Sequence, residues 1–210
     1  MSKHWIIPIC LVVVGIQAAW GGGPRKPWSE ETLELFRTLP VQEGGRVKPL
    51  DTFAQFRLLK LNGKRTFTTP TGERESWMPW FLDCLFYPDA AVQYECLIVD
   101  NSDVVASIGV PTHQGRRSRY SYAELQPGRE KLFELAREYM KIDSSQRTPL
   151  QRQIIDLANN VFHFEQLIHF LDFSKKRYHA HEGDTLASQA FSDPEGVPLS
   201  VLVQRAPDIV

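Results

Sequence analysis

The sequence predicts an α+β fold, predominantly α-helical, with a small short-stranded β element and a long helical hairpin in the C-terminal half. Two patterns carry that expectation. Leu150, Ile154, Leu157, Val161, Phe164, Ile168 and Leu171 alternate at spacings of four and three, the repeat of a helix that buries one seam. Short extended pieces flank Gly44-Gly45, and Tyr94–Val99 reads as a strand. The near balance of 24 Lys+Arg against 25 Asp+Glu gives no basic stripe, so nucleic-acid binding has no support in composition. Three cysteines exclude a disulfide-dense scaffold and a four-cysteine zinc site.

The N-terminus comes first. Lys3 precedes the apolar run Ile6–Ile16, and Ala19-Trp20-Gly21 places small residues at the −3 and −1 positions of a cut after Gly21. That is the layout of a signal peptide over residues 1–21. The run is about eleven residues, short of the roughly twenty that span a bilayer, and an uncleaved anchor extended through Trp20 is the alternative. Either way the remainder is expected to be extracytoplasmic, periplasmic or secreted, with membrane association through the N-terminus in the anchored case. Residues 22–173 are expected to form one α+β module and residues 174–210 an irregular tail.

Along the module, Ser29 caps a short helix that Pro40 stops. Gly44-Gly45 permits a tight turn, and Pro49 fixes the chain before Asp51 caps a helix from about Thr52 to Leu61, closed by Asn62-Gly63. Leu50, Phe53, Ala54, Leu58 and Leu61 are its buried residues. Thr66 to Arg74 is a polar hairpin or loop. Ser76 caps the strongly apolar helix WMPWFLDCLFY, ended by Pro88. Asn101-Ser102-Asp103 starts a short helix, His113 to Arg119 is a basic loop, and Ser121 to Glu124 fits a capping box. A helix from Pro127 to Ile142, with Leu132, Ala136, Tyr139 and Ile142 on one face, turns through Asp143–Arg147 into the heptad helix begun by Thr148-Pro149.

Few residues offer chemistry. Export exposes thiols to oxidising conditions, so Cys84 and Cys96 form either a disulfide or two buried free thiols. His179 and His181 can ligate haem or a metal, or else belong to a surface cluster in the tail. Arg116, Arg117 and Arg119 can grip a carboxylate, a haem propionate or a lipid phosphate, the alternative being a solvated loop. No metal site and no nucleophile, base and orienting group can be nominated, so no catalytic residue is assigned and the chain is read as non-enzymatic.

The segment from Leu39 to Ala54, LPVQEGGRVKPLDTFA, resembles the opening of an extracytoplasmic region in cytochrome c biogenesis proteins of the ResB/ResC (CcsA/CcsB) type. The likeness continues more loosely through Trp77–Tyr87, Tyr120–Leu125 and Phe164–Leu167. It implies a role in haem delivery and attachment to apocytochromes, with haem held by a partner and no cofactor of the chain's own. The family's membrane part, tryptophan-rich haem motif and membrane histidines have no positions here to which they can be assigned. The expectation is therefore an accessory module that docks onto an integral membrane cytochrome c assembly protein, with Gln42, Arg46, Lys48 and Asp51 as docking residues. A periplasmic haem- or metal-binding protein and an exported hydrolase are the alternatives.

Overall fold

The computed structural model describes residues 27–114 and 118–172, with the backbone of 177–178 and 197–198. The signal or anchor segment expected at 1–21 lies outside the described residues. The fold is α+β and mostly helical, as the sequence implies.

Ser29 accepts a hydrogen bond from the Thr32 amide at 3.2 Å and opens α1, Glu30–Thr38. Strands β1, Pro40–Glu43, and β2, Arg46–Pro49, form an antiparallel hairpin that runs directly into α2, Leu50–Asn62. Gly63, at φ 70°, ends α2 in the left-handed conformation, and its amide reaches the Leu59 carbonyl at 2.8 Å. A second hairpin pairs β3, Thr66–Thr68, with β4, Arg74–Ser76, so the segment left open as hairpin or loop is a hairpin. The apolar helix α3, Trp77–Phe86, follows, and Pro88 both stops it and opens the single turn α4, Pro88–Ala91.

The strand expected from Tyr94 is shorter, β5 at Leu97–Val99, and is followed by α5, Ser102–Ser107. Its partner is unexpected. Ser118–Tyr120, the end of the anticipated basic loop, is β6, and pairs antiparallel with β5. Ser121 and Glu124 make the anticipated capping box on α6, Tyr122–Leu125, and a 3₁₀ turn leads into α7, Arg129–Met140. Thr148 and Gln151 make a second box on α8, Pro149–Ile168.

Helix α8 packs against α7 as a hairpin and also against α3, so the seam is shared between two neighbours. Ile154, Leu157, Val161, Phe164 and Ile168 are buried, while Leu150 and Leu171 at the two ends pack only partly. Helix α3 is buried from Met78 to Leu85, apart from Pro79, which explains its nearly unbroken apolar composition. In α2, Ala54, Leu58 and Leu61 are buried, while Leu50 and Phe53 are half-buried and pack against the margin of the core. Among the described residues no helix is long and apolar enough to cross a membrane. The tail beyond residue 173 contributes one short described ladder, β7 at Arg177–Tyr178 against β8 at Val197–Pro198.

Candidate functional site

The block from Leu39 to Ala54 folds as a corner in which a hairpin leans on the helix it introduces. Gly44 and Gly45, at φ 58° and 77°, are both left-handed, as a two-residue hairpin turn of right-handed twist requires. The turn fixes the register: Glu43 opposes Arg46, Gln42 opposes Val47, Val41 opposes Lys48 and Pro40 opposes Pro49. Directly opposed residues share one face of a ladder. Pro40, Gln42, Val47 and Pro49 therefore form one face, and all four are exposed, Val47 at 71%. Leu39, 40% exposed, continues the ladder through a 2.7 Å hydrogen bond from the Leu50 amide to its carbonyl.

The opposite face carries Val41, Glu43, Arg46 and Lys48. Lys48 is ion-paired with Glu43, whose other oxygen accepts from the Arg57 guanidinium at 2.8 Å. Arg57 lies 4.8 Å from the centre of the Phe53 ring, which meets Phe81 edge-on at 5.8 Å. Charge pairing and cation–π contact thus fasten the hairpin to α2 and, through Phe53, to α3. The Lys48 ammonium, then Arg57, hold the Glu43 carboxyl below its ordinary value against the opposing effect of desolvation, and the charge of His163 acts the same way.

Two of the four anticipated docking residues make contacts within the corner. Lys48 is committed to Glu43. Asp51 accepts the Trp77 indole N–H at 2.8 Å and lies 3.9 Å from Arg37. It is not the helix cap either, since that position belongs to Pro49, and Asp51 sits in the first turn, where the helix dipole favours its charge. Both residues brace the corner. Gln42 and Arg46 remain exposed, and the outward apolar set of Pro40, Val47 and Pro49 was not singled out from sequence, although the two-glycine loop determines it.

The other anticipated groups are distributed differently. Arg116 and Arg117 lie outside the described residues. Arg119 donates through Nε to Asn62 Oδ1 at 2.5 Å and through a terminal nitrogen to the Asn62 carbonyl at 3.1 Å. It therefore satisfies a carbonyl at the C-terminal end of α2, where a cation is favoured. Its side chain also borders a cleft of about 250 Å³ with Lys64, Arg74 and Glu95. His179 and His181 lie outside the described residues.

His113 stacks on Tyr120 at 4.1 Å with Nε2 2.9 Å from Glu124, while His163 and His169 bond locally to Gln166 and Asp172. Among the described residues no three His, Cys, Asp or Glu side chains converge as a metal site.

Cys84 and Cys96 are unbridged free thiols in this structure. Both residues are fully buried. Burial raises both thiol pKa values, that of Cys96 to about 12, against the opposing influence of the otherwise unpartnered Trp80 indole N–H. Such thiols act as small apolar core residues and are poor nucleophiles.

The carboxylates give the molecule a defined acid response. Desolvation works to raise the Glu165 carboxyl, but hydrogen bonds from Arg129 and Tyr122 outweigh it and the net shift is downward, as for Glu43. A carboxyl depressed in the folded state contributes stability above its unfolded value, near 4.5, and loses it as pH falls through the folded value. The melting temperature should therefore drop progressively below about pH 5, and Glu165→Gln should flatten that drop. An identical pH slope in the variant, measured by calorimetry from pH 6 to pH 3, would contradict this assignment.

Comparisons with family models, with characterised proteins and with solved structures find no match to the chain.

Proposed function

We propose that the chain is an exported, non-catalytic accessory module of a cytochrome c-type biogenesis system, docking onto an integral membrane haem-handling protein. The resemblance of residues 39–54 to extracytoplasmic regions of ResB/ResC-type proteins supports this reading. The observation that carries it is how that block is divided. Of its charged residues, Glu43, Lys48 and Asp51 are used internally and Arg46 is exposed, while Pro40, Val47 and Pro49 stand outward with no core to bury them. A motif of this kind needs its charges to hold the corner rigid and its apolar face to meet a partner. Among the described residues both hairpin edges are open, and the prolines at one end remove amide donors that would otherwise invite promiscuous strand pairing. Haem is carried by the partner in this scheme, and the N-terminal apolar segment directs or tethers the module to the extracytoplasmic face.

Deleting the gene should lower the cell's covalently bound c-type haem, with restoration by the native chain and not by Val47→Asp. A charge at the centre of an apolar contact typically costs binding by tenfold or more. Normal c-type cytochromes after deletion would sink the proposal.

A further inference from the structure

The cleft of about 250 Å³ that Arg119 borders lies where the end of α2, the hairpin of β3 and β4, and strand β6 meet. It shares no residue with the docking corner, so its role stands independently of the function proposed above.

Two guanidinium groups are fixed at this cleft through neutral partners. Asn62, only 1% exposed, accepts from Arg119 on both Oδ1 and its carbonyl, and donates through Nδ2 to the Thr66 carbonyl at 2.7 Å. Thr66 Oγ1 in turn accepts from Arg74 Nε at 3.1 Å. Both guanidiniums are thus anchored on one buried amide and its neighbour, with terminal N–H donors to spare. The register places Arg74 opposite Thr68, and because Phe67 between them is buried, Thr66 and Thr68 share the Arg74 face. Lys64, exposed just after α2, adds an ammonium to the lining.

Among the described residues no carboxylate pairs with Lys64, Arg74 or Arg119. The opposing charge is Glu95, which lines the cleft, together with about half a unit at the C-terminus of α2. A net positive charge remains, so the occupant is an anion. Three cationic groups and two hydroxyls suit an anion with several oxygens, and guanidiniums bind phosphate by paired hydrogen bonds. The volume falls below the roughly 300 Å³ at which sites for organic ligands begin. Glu95 narrows the choice further. A carboxylate among donors repels an anion that has no proton and accepts a hydrogen bond from one that keeps a hydroxyl. At neutral pH inorganic phosphate keeps at least one proton, whereas sulfate keeps none.

We propose that this cleft binds hydrogen phosphate, with Lys64, Arg74 and Arg119 on its anionic oxygens and Glu95 accepting from its P–OH. A proton-bearing phosphate also terminates a phosphomonoester, so sn-glycerol 3-phosphate serves to separate the free ion from a lipid headgroup. The full chain in detergent micelles is titrated at neutral pH with sodium phosphate, sodium sulfate or glycerol 3-phosphate, at an ionic strength held constant with sodium chloride.

Phosphate should shift the backbone amide resonances of residues 64–68, 74, 95 and 119 saturably and bind at least about tenfold more tightly than sulfate. Arg74→Gln and Lys64→Gln, both at exposed positions, should each weaken phosphate about fivefold or more with no change in melting temperature. Glu95→Gln should raise the affinity for sulfate to within about threefold of that for phosphate. Glycerol 3-phosphate binding as tightly as phosphate supports the site as one for a headgroup, and weaker binding supports it as one for the free ion. The proposal is overturned by no saturable shift with millimolar phosphate, by equal binding of sulfate and phosphate to the native chain, or by native affinity in both Arg74→Gln and Lys64→Gln.

Discussion

Phe164→Ala should destabilise the module by about 3–5 kcal/mol, the range for emptying a fully buried aromatic site. Phe164 is 0% exposed at the middle of the α8 seam. It lies 5.6 Å, ring centre to ring centre, from Tyr122, whose hydroxyl donates to Glu165 at 2.9 Å. Glu165 in turn receives the Arg129 guanidinium from the start of α7, 2.8 Å on its second oxygen. Loss of the ring therefore leaves a cavity and also loosens the polar clamp that aligns the two arms of the hairpin. At about 2–4 °C per kcal/mol for a domain of this size, the melting temperature should fall by about 6–20 °C in calorimetry. A shift under about 3 °C would show that α8 is not the central support of the fold.

Asp83→Ala should be nearly as damaging, at about 2–4 kcal/mol. Asp83 is fully buried on α3 and accepts at 2.8 Å from the Trp28 indole on Oδ1 and at 2.8 Å from the Tyr94 hydroxyl on Oδ2. The substitution removes both acceptors while both donors stay in place, and Tyr94 is only 2% exposed. Leaving a donor unsatisfied costs more than a hydrogen bond normally contributes. Asp83→Asn keeps one acceptor oxygen and should recover part of the loss. Trp28 also meets Phe86 at 5.7 Å and Tyr87 at 5.5 Å, each ring tilted by 60°, so the alanine variant should change Trp28 fluorescence as well as the unfolding midpoint. Unchanged stability with both donors still buried would refute the role assigned to this carboxylate.

The features read most directly from the sequence are those whose cause is local. The heptad spacing of α8, its Thr148 N-cap, the Ser121–Glu124 capping box and the left-handed Gly63 all follow from residues within a turn or two of one another. Strand β6 was missed because Ser118-Arg119-Tyr120 has no apolar alternation, and what makes it a strand is β5, some twenty residues earlier. The roles of Lys48, Asp51 and Arg119 were out of reach for the same reason. Their partners Glu43, Trp77 and Asn62 are brought together by folding, and the last two lie 26 and 57 residues away in sequence. The outward hairpin face was in principle derivable, since a two-residue loop sets the pairing of Gln42 with Val47 and Pro40 with Pro49. Charge directs attention to Arg46, Lys48 and Asp51, whereas the geometry engages Lys48 and Asp51 within the corner and leaves Pro40, Gln42, Val47 and Pro49 on an exposed face.

Docking through the outward hairpin face is the central proposal, and site-specific photocross-linking in living cells tests it most directly. A photoreactive residue at position 47 should capture an integral membrane protein that carries haem. The same residue at Met140, an exposed apolar position at the far end of α7 and 46% accessible, should not. Capture from position 140 and not from 47, or from neither, would contradict the assignment of the hairpin face as the docking surface.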